Sequence, residues 1–521
     1  MVSADNAPSS KRNISLHELL ANDPDLELHG DPSTTVKDVH YDSRLVSPGD
    51  LFVAISGDHF DGHDFVERAL ERGAAAVFTE RLVTSDVPSL LASNTRTALP
   101  RVAARFFGDP SRKLGVIGIT GTDGKTMTSY LVDAIFRAAG LATGMVGTIS
   151  VRIADHIVDH ETRQTTPESL DLQRYLRAMA DAGCDWAILE ATSHGLELHR
   201  LDEVRFSIGA VTNITHEHLE YHKTIPAYRR AKGRLFERVA ESNGTAVVNL
   251  DDEGSREMLS YTHGATCLTY GIESTEGDIR AENMSVGVHG STFHMRTPFG
   301  AVELAFPFLG AFNVANALCA VGIALSAGVD LDTIAAALAD APPVPGRMTR
   351  IDCGQPFTVV VDYAHTPESL SKVLSLLRSL NPGGRLIAVS GSAGDRDTTK
   401  RPLQGEVSVQ LADFSVFTTE DPRFEDPDAI IRDIAIGASR IGRRAGIDFL
   451  TIIDREAAIR EALERAEPGD VVLLAGKGHE GSIIWGHEKR PWNEGNVARN
   501  LLREMGYESC YEDRRKPGGL S

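Results

Sequence analysis

The sequence predicts an α/β protein with three domains. At 521 residues the chain is too long for one ordinary domain. Apolar runs rich in Val, Ile and Leu alternate with amphipathic stretches, a pattern typical of parallel strands covered by helices on both faces. The stretch PVPGRM at 343–348 separates two such series, and a shorter segment precedes the first. We therefore expect a small N-terminal α/β domain over 1–112, a central domain over 113–345 and a C-terminal domain over 346–521.

Eight apolar runs are the strand candidates of the two larger domains. They are 114–120, 186–192, 207–214 and 245–250 in the central domain, and 357–364, 385–392, 413–420 and 470–477 in the C-terminal domain. Polar residues able to do chemistry follow several of these runs directly. In an open α/β sheet, ligands bind outside the carboxyl ends of the strands. The motifs described below therefore lie where a ligand site is expected.

Composition and charge narrow the possible partners. The net charge is −20, from 53 basic and 73 acidic residues, which argues against a nucleic-acid or anionic-membrane surface. The five cysteines form no C-x-x-C pair, so we expect neither a zinc site nor a disulfide framework. No signal peptide or membrane-spanning run is visible. We expect a cytoplasmic monomer that binds no nucleic acid and does not insert into a membrane.

A glycine-rich motif predicts a phosphate site. The stretch GITGTDGKT at 118–126 follows a strand candidate and opens a helix. Backbone N–H groups of such a loop bind phosphates, Lys125 reaches a β- or γ-phosphate, and Thr126 offers its hydroxyl to Mg²⁺. Ile119 stands where a strict phosphate loop has its first glycine. The motif predicts ATP binding, but alone it does not separate ATP from GTP, or a kinase from a ligase.

Two further residues are candidates for a metal site. Glu190 ends one strand candidate, and His218 follows another. Carboxylate and imidazole groups both coordinate divalent metals, and Mg²⁺ neutralises charge on ATP. Lys232 lies in a helical stretch, and by composition alone it is a surface lysine.

Together these motifs resemble the Mur ligases. TGTDGKT at 120–126 is similar to the family's phosphate motif, with Asp123 where Asn is usual, and 211–236 is similar to its metal and lysine segment, with Glu217 where Asp is usual. The resemblance implies a P-loop-type central ATPase domain and a Rossmann-like C-terminal domain. It implies catalytic roles for Lys125, Lys232 and His218, and carbamylation of Lys232. The implied Mg²⁺ ligands are Thr126, Glu190, His218 and Lys232.

More segments in the same order extend the resemblance to ATP contacts. LGAFNVANALCA at 309–320, PGRM at 345–348 and VDYAHTP at 361–367 resemble segments around the nucleotide in the family. The implied ATP-binding residues are Gly121, Thr122, Asp123, Gly124, Lys125, Thr126, Asn313, Asn316, Arg347, Asp362 and His365.

Within the family, the N-terminal and C-terminal motifs favour the MurE branch, which adds a diamino acid to a UDP-linked muramoyl dipeptide. DSR at 42–44 and GDHFDGHDF at 57–65 resemble its UDP pocket, which implies Ser43, Arg44, Asp61, Gly62 and His63. TTPES and TSHGLELHR resemble its muramoyl-peptide contacts, which implies Thr165, Thr166, Ser193 and Arg200. GDRDTTKRP, EDPR and GKGHE resemble its amino-acid pocket, which implies Arg396, Glu420, Asp421, Arg423, Gly476 and Glu480.

The charges of the last group fit an amino acid with a second amine. Arg396 suits an α-carboxylate, and the three carboxylates suit ammonium groups. Arg423 favours a distal carboxylate, as in meso-diaminopimelate. Asp421, where Asn is usual, adds negative charge and instead favours L-lysine or L-ornithine. We favour meso-diaminopimelate.

The expected function is therefore an ATP-dependent amide ligase of peptidoglycan precursor synthesis that works through an acyl-phosphate and releases ADP and phosphate. Alternatives of the same fold are a folylpolyglutamate synthetase or a MurD- or MurF-like enzyme, and the N-terminal motifs argue against the folate branch. A nucleotide-binding regulator without catalysis is disfavoured by the intact set of candidate catalytic residues. A plain kinase or GTPase leaves the C-terminal charged motifs unexplained.

Overall fold

The computed structural model describes residues 13–57, 60–158, 164–215, 217–287 and 290–507. Asp58 and His59, two residues of the predicted UDP-pocket motif, lie outside these ranges. Within them, no helix is long and apolar enough to cross a membrane.

The strands of the described residues, in chain order, are Ile14–Ser15 (β1), Leu26–His29 (β2), Thr35–Val36 (β3), Val39–His40 (β4), Leu51–Val53 (β5), Ala76–Thr79 (β6), Ser89–Ala92 (β7), Gly115–Thr120 (β8), Thr143–Val146 (β9), Val151–Ile153 (β10), His156–Val158 (β11), Trp186–Glu190 (β12), Ile208–Val211 (β13), Thr245–Asn249 (β14), Thr266–Gly271 (β15), Ile279–Gly287 (β16), Gly290–Thr297 (β17), Gly300–Phe306 (β18), Thr349–Ile351 (β19), Thr358–Asp362 (β20), Leu386–Ser390 (β21), Phe414–Thr418 (β22), Phe449–Ile452 (β23), Val471–Ala475 (β24), Ser482–Trp485 (β25) and Glu488–Pro491 (β26).

The α-helices are Leu16–Leu20 (α1), Val66–Glu71 (α2), Thr95–Phe107 (α3), Lys125–Ala138 (α4), Ser169–Asp181 (α5), Ser193–Glu197 (α6), Leu219–His222 (α7), Ile225–Glu241 (α8), Glu253–Glu257 (α9), Ala311–Ser326 (α10), Leu331–Ala339 (α11), Pro367–Leu380 (α12), Lys400–Leu411 (α13), Pro427–Arg440 (α14), Arg455–Arg465 (α15) and Glu494–Glu504 (α16). Short 3-10 helices lie at Gly62–Phe65, Pro110–Arg112 and Met258–Tyr261.

The N-terminal segment is built on a five-stranded sheet in the order β2-β7-β6-β5-β4. Strands β4 to β7 run parallel to their neighbours, and β2 pairs antiparallel with β7. Helix α3 packs over this sheet with Leu99, Val102 and Phe106 in the core. It begins at the Asn94 cap, whose side chain accepts the Thr97 N–H, and ends at Gly108 with φ 73°.

The central sheet positions the phosphate motif. Its order is β11-β10-β9-β12-β8-β13-β14-β15-β16-β17-β18. In sheet order, the strands β9, β12, β8, β13, β14 and β15 are parallel. The carboxyl ends of β12, β8 and β13 therefore lie side by side. The residues after these ends are Ala191, Gly121 and Thr212. Three segments that are distant in sequence therefore meet at one edge.

The C-terminal sheet has the order β19-β20-β24-β21-β22-β23 and is parallel except for β19. Val359 and Val361 of β20 belong to one core cluster, and Val360 belongs to another. Successive side chains of a strand point to opposite faces. Both faces of this sheet are therefore buried, as its continuous apolar strands predict.

The eight predicted strands are all present, as β8, β12, β13, β14, β20, β21, β22 and β24. The chain divides into two compact units, Met1–Asn283 with His294–Leu304 and Ala315–Ala339, and Met284–Phe293 with Ala305–Val314 and Asp340–Ser521. The domain boundaries expected from the sequence stay a prediction.

The cysteines differ in one respect from the expectation. Cys184, Cys267 and Cys319 are free thiols, but Cys353 is disulfide-bonded. The sequence predicts no disulfide framework and gave no sign of this one bonded cysteine. Sequence spacing did not reveal it because bonded cysteines need only be close in space, not in sequence.

Candidate active site

The loop between β8 and α4 depends on two glycines. Gly121 has φ 150° and Gly124 has φ 86°, backbone angles that favour glycine. A Cβ at Gly121 would lie 1.9 Å from Thr212 Oγ1, and a Cβ at Gly124 would lie 2.2 Å from Asn316 Oδ1. Any side chain at either position would collide with a neighbour. The predicted residue Asn316 thus packs against the loop.

The loop is also fixed from the end of β13. Thr212 Oγ1 and Asn213 Nδ2 donate to the Asp123 carbonyl at 2.6 and 3.1 Å, and the Asp123 N–H donates to Asn213 Oδ1 at 3.0 Å. Helix α4 starts after Gly124 with no side-chain cap hydrogen bond. Its first N–H groups point out of the helix end, where they suit an anion.

Two lysines meet at one carbonyl of this loop. Lys125 Nζ donates to the carbonyls of Gly121 and Thr122, both at 2.9 Å. Lys232 Nζ donates to the same Gly121 carbonyl at 2.7 Å. Burial lowers the pKa of Lys232 well below its usual value, and the nearby charge of Lys125 lowers it further. Two lysine side chains therefore meet at the loop that is expected to bind phosphate, and the low pKa of Lys232 favours its uncharged form.

Lys232 is buried, although the composition of its helical stretch predicted a surface lysine. Its side chain is 1% exposed, and its Nζ lies 4.7 Å from the centre of the Tyr228 ring. Helix α8 buries Leu235, Phe236 and Val239 on the same side, so Lys232 takes a place on an apolar face. The prediction was wrong because the sequence of an amphipathic stretch does not show whether a single lysine lies on the buried or the exposed face of the helix.

Glu190 is a buried carboxylate beside the loop. It is 1% exposed and accepts the Thr126 hydroxyl at 3.1 Å. It also accepts the Thr148 N–H at 3.0 Å and the Thr148 hydroxyl at 2.7 Å. These three donors are neutral groups, so these hydrogen bonds bring no positive charge to the Glu190 carboxylate. Thr148 was missed in the sequence, although its place two residues after β9 is a signal that could have found it.

His218 lies in an aromatic group close to the loop. Its ring centre is 4.7 Å from that of His194 and 6.5 Å from that of Tyr228. Tyr228 OH forms a 2.9 Å hydrogen bond with Thr122 Oγ1. Burial, and then the nearby imidazoles of His194 and His218, lower the pKa of His222 to about 4. Tyr228, which also faces Lys232, was not among the predicted residues.

The donor set fits Mg²⁺ shared with a nucleotide. Within the described ranges, no group of three or more His, Cys, Asp or Glu side chains is placed to hold a metal by itself. Mg²⁺ is commonly held by one or two carboxylates, waters and substrate phosphates. The buried Glu190 carboxylate and the Thr126 hydroxyl, which lie 3.1 Å apart, would suit the protein part of such a site.

The predicted muramoyl-peptide residues gather next to Glu190. Thr166 Oγ1 donates to the Glu190 carbonyl at 2.7 Å, and Thr165 Oγ1 lies 3.1 Å from Thr148 Oγ1. Arg200 Nη1 donates to the Thr166 carbonyl at 3.1 Å, and Ser193 is buried at the start of α6.

Glu168 joins two arginines at the same place. Arg200 Nη2 lies 2.8 Å from Glu168 Oε1, and Arg96 Nη1 lies 3.2 Å from Glu168 Oε2. Two guanidinium groups share one carboxylate, which leaves an excess positive charge suited to an anionic ligand. Arg96 and Glu168 were missed because an ion pair between residues far apart in sequence has no local signal.

The predicted UDP residues are held mainly by each other. Asp61 Oδ1 lies 2.6 Å from His63 Nδ1, and His63 Nε2 accepts the Glu80 N–H at 2.9 Å. Arg44 is exposed and pairs with Asp42 at 2.6 Å. Ser43 is buried, and a Cβ at Gly62 would lie 2.5 Å from the Ile55 nitrogen. Asp61, Gly62 and His63 therefore fix the conformation of their own loop.

In the second unit, three predicted nucleotide residues surround Tyr363. The Arg347 guanidinium lies 4.6 Å from the ring centre, and His365 Nδ1 is 3.0 Å from the Tyr363 carbonyl. Asp362 accepts N–H groups from Met348 and Ala364, both at 2.8 Å. Asn313 Nδ2 donates to the Leu309 carbonyl at 2.9 Å.

The predicted amino-acid residues form a buried acidic cluster after β22 and β24. Glu420 and Asp421 are 7% and 5% exposed, and Lys477 is fully buried. Lys477 Nζ donates to Asp421 Oδ1 at 2.8 Å and contacts Glu480. Burial raises the pKa of Glu480, the charge of Lys477 opposes this rise, and Asp421 and Glu420 add to it. Lys477 lies within the GKGHE motif but was not among the predicted residues.

Arg423 lies beside this cluster in a constrained conformation. Its φ is 53°, its N–H donates to the Ile484 carbonyl at 3.0 Å, and its carbonyl accepts the Gly486 N–H at 2.6 Å. Its Nε is buried and has no hydrogen-bond partner among the described residues. Gly476 has φ 104°, and a Cβ there would lie 2.8 Å from Glu420 Oε2. Arg396 lies exposed in the loop after β21.

Three family models match the chain in order. They are "Mur ligase family, catalytic domain" over residues 35–106, "Mur ligase middle domain" over 119–324 and "Mur ligase, glutamate ligase domain" over 346–478. The chain belongs to the Mur ligase family. Membership confirms the predicted three-domain α/β fold class and the prediction of an ATP-dependent ligase, and it argues against a plain kinase or GTPase.

Curated relatives of this Mur ligase cover nearly its whole length. It is 47% identical over 484 residues to the UDP-N-acetylmuramyl-tripeptide synthetase of Roseiflexus sp. (strain RS-1), covering 90% of this chain and 95% of that protein. It is 42% identical over 491 residues to the UDP-N-acetylmuramoyl-L-alanyl-D-glutamate--2,6-diaminopimelate ligase of Bacillus licheniformis, covering 93% and 98%.

Solved structures agree with this assignment. A UDP-N-acetylmuramoyl-L-alanyl-D-glutamate--2,6-diaminopimelate ligase is 30% identical with a TM-score of 0.66, covering 95% of this Mur ligase and 100% of that chain. The MurF ligase of Thermotoga maritima in complex with ADP is 19% identical with a TM-score of 0.61, covering 91% and 97%. At that identity, the likeness to MurF shows the fold alone.

Proposed function

We propose that this Mur ligase joins meso-diaminopimelate to UDP-N-acetylmuramoyl-L-alanyl-D-glutamate in peptidoglycan precursor synthesis, with release of ADP and phosphate. The names of the full-length relatives support the acceptor and the reaction. The observation that carries the choice of amino acid is the buried acidic cluster with Arg423 beside it. An amino acid needs a second amine to pair with the carboxylates of the cluster and a distal carboxylate to pair with the Arg423 guanidinium. Only a substrate with both groups can pair with both charges.

The cluster needs cationic partners. Glu420, Asp421 and Glu480 are three carboxylates, and Lys477 is one ammonium group in contact with two of them. Glu420 Oε2 is buried with no hydrogen-bond partner among the described residues. A buried carboxylate oxygen without a donor is costly, and an ammonium group of a ligand would supply one.

Asp421 does not argue for L-lysine or L-ornithine. The sequence left open whether this extra negative charge selects a purely cationic side chain. Asp421 Oδ1 accepts both the Lys477 ammonium and the Ile484 N–H at 2.9 Å. Because Lys477 compensates the negative charge of Asp421, this carboxylate stabilises the loop and does not select the side chain of the amino acid. The unpartnered Arg423 Nε then favours a distal carboxylate.

The proposed reaction has two chemical steps. First, the D-glutamyl carboxylate takes the γ-phosphoryl group of ATP, which gives an acyl-phosphate and ADP. The amine of diaminopimelate then attacks the acyl carbon through a tetrahedral intermediate, loses a proton, and phosphate leaves. Lys125 would exchange its loop carbonyls for phosphate oxygens and stabilise their charge during transfer. Asn313, Asn316, Arg347, Asp362 and His365 are the proposed contacts to the rest of ATP.

Magnesium would be held by Thr126, Glu190, His218 and a carbamylated Lys232. Bound there, it would neutralise charge on the phosphate oxygens. Carbamylation needs an uncharged amine, which adds to CO₂ with loss of a proton. The burial of Lys232 and the low pKa of its amine favour this uncharged form. The carbamate would add a negative charge next to Glu190 and the phosphate loop.

Positional isotope exchange tests the acyl-phosphate. ATP labelled with ¹⁸O at the β-γ bridge would be incubated with the UDP-linked dipeptide and Mg²⁺, without amino acid. Scrambling of the label that depends on the dipeptide is expected, with ADP as the only nucleotide product. Formation of AMP and pyrophosphate would sink the proposal. A cytoplasmic location and a monomeric state stay predictions.

A further inference from the structure

An arginine–glutamate pair is fully buried beneath the amino-acid loops. Arg455 opens α15 and Glu494 opens α16, and their side chains are 1% and 0% exposed. Arg455 Nε lies 3.0 Å from Glu494 Oε2, and Nη2 lies 2.5 Å from Oε1. Trp492 Nε1 donates to Glu494 Oε2 at 2.6 Å. The pair is well satisfied, which a buried ion pair requires.

The remaining N–H groups of Arg455 reach two strand ends. Nη1 donates to the Thr419 carbonyl at 3.1 Å, and Nη2 donates to the Ala475 carbonyl at 2.7 Å. Thr419 follows β22 and Ala475 ends β24, and in the sheet order β21 lies between these two strands. No ladder hydrogen bond therefore links the two ends directly. The rigid fork of one guanidinium does so instead.

The residues after these carbonyls are those of the amino-acid pocket. Thr419 precedes Glu420, and Ala475 precedes Gly476 and Lys477. The two loops already touch, since a Cβ at Gly476 would lie 2.8 Å from Glu420 Oε2. A change in the separation of the strand ends would therefore move Glu420 relative to Lys477.

We propose that Arg455 is a positioning residue, which sets the distance between the Glu420 loop and the Gly476 loop and so the fit of the diamino acid. The inference rests on the proposed function of these loops. Arg455 is 1% exposed and holds the backbone just before Glu420 and Gly476, so it acts on the ligand through the loops that carry these residues. Glu494 fixes its orientation and compensates its charge.

The test uses two variants, which remove different features of the Arg455–Glu494 pair. Arg455→Lys keeps the positive charge but lacks the fork, so it cannot hold both carbonyls. Arg455→Met with Glu494→Gln removes both charges and avoids leaving Glu494 buried and unpaired. Arg385→Met is the matched control. Arg385 pairs with Asp470 at 2.7 Å just before β21 and β24, at the opposite end of the same sheet.

The measurements are apparent KM values for the amino acid, ATP and the UDP-linked dipeptide, with positional isotope exchange and thermal unfolding. We expect Arg455→Lys to raise the KM for meso-diaminopimelate about tenfold to a hundredfold. The KM for ATP and isotope exchange without amino acid should stay within about twofold. Arg385→Met should leave all three KM values unchanged, and the double variant should follow Arg455→Lys.

Other outcomes contradict the inference in distinguishable ways. An unchanged amino-acid KM in both Arg455 variants, or an equal rise in all three KM values together with lower thermal stability, would leave Arg455 with a structural role only. Absence of any tripeptide from the unsubstituted enzyme would instead overturn the proposed function, and the inference with it.

Discussion

The Thr126 hydroxyl donates a hydrogen bond to the Glu190 carboxylate at 3.1 Å, and this bond joins the first turn of α4 to the end of β12. It places a buried carboxylate beside the loop that carries Lys125. The loop itself is held by Thr212 and Asn213 from β13. A lysine that follows β8 and a carboxylate that ends β12 thus lie beside one loop that β13 supports, an arrangement that suits phosphoryl transfer.

Lys125→Ala should abolish turnover and leave the fold intact. Among the described residues, Lys125 Nζ donates to two loop carbonyls alone, so its loss removes the charge next to the transferred phosphoryl group and little packing. We expect a fall in kcat of about a thousandfold or more, measured by phosphate release, with an unchanged circular dichroism spectrum. The exposed Lys113→Ala, in the same unit, is the control and should retain normal activity.

Lys232→Ala should be severely impaired and partly restored by a small carboxylic acid. The cavity left by the side chain can admit acetate or formate, whose carboxylate replaces the proposed carbamate. Phosphate release with increasing acetate measures the rescue, and Lys125→Ala should show none. Normal activity of Lys232→Ala without added acid would refute the carbamate role.

Arg423→Ala should weaken diaminopimelate selectively. Loss of a charge-assisted hydrogen bond to the distal carboxylate costs about 1.5–3 kcal/mol, which is roughly a tenfold to hundredfold rise in KM. The KM for L-lysine, which lacks that carboxylate, should change little. Equal effects on the two amino acids would show that Arg423 only shapes its loop.

Glu480 should give the amino-acid KM a distinct pH dependence. Burial, opposed by Lys477 and reinforced by Asp421 and Glu420, holds the pKa of Glu480 above its usual value. As pH falls, Glu480 takes up a proton earlier than an ordinary carboxylate, loses its charge, and binds an ammonium group less well. The KM for diaminopimelate should therefore rise as pH falls through this raised pKa. Glu480→Gln should show a high KM without that rise, and parallel profiles for both enzymes would contradict the assignment.

Asp23 should contribute stability that is lost in acid. Burial alone would raise its pKa, but Arg101 at 2.7 Å and Arg105 at 3.0 Å lower it below the usual value. Because the pKa in the folded chain is depressed, the contribution is complete above the unfolded value of about 3.9 and fades as pH falls through the folded value. Asp23→Asn should lower stability by about 1–3 kcal/mol at pH 7. Urea midpoints of the two proteins should converge as pH falls below the lowered pKa of Asp23 in the folded chain, and a constant gap would contradict this account.

Much of this fold could be predicted from the sequence because its parallel strands are buried on both faces. The predicted run 385–392 has a continuously apolar centre at 386–389, and the strand Leu386–Ser390 contains that centre. The phosphate loop was equally visible, because its glycines are required locally. Gly121 and Gly124 have no room for a Cβ.

The residues that were missed share a different property. Thr148, Glu168 and Lys477 act through partners that are distant in the chain, at 42 positions from Glu190, 72 from Arg96 and 56 from Asp421. No local spacing indicates such contacts. The same limit concealed the burial of Lys232, which depends on the face that α8 turns toward β8.

The most direct test of the central claim is the product formed by the purified protein with Mg²⁺-ATP and UDP-N-acetylmuramoyl-L-alanyl-D-glutamate. Meso-diaminopimelate, L-lysine and L-ornithine would be offered in separate and mixed reactions, with phosphate release and product mass measured. We expect one ADP and one phosphate per tripeptide, with meso-diaminopimelate used in preference. Preferred use of L-lysine or L-ornithine, or no tripeptide from a folded protein that binds ATP, would contradict the account.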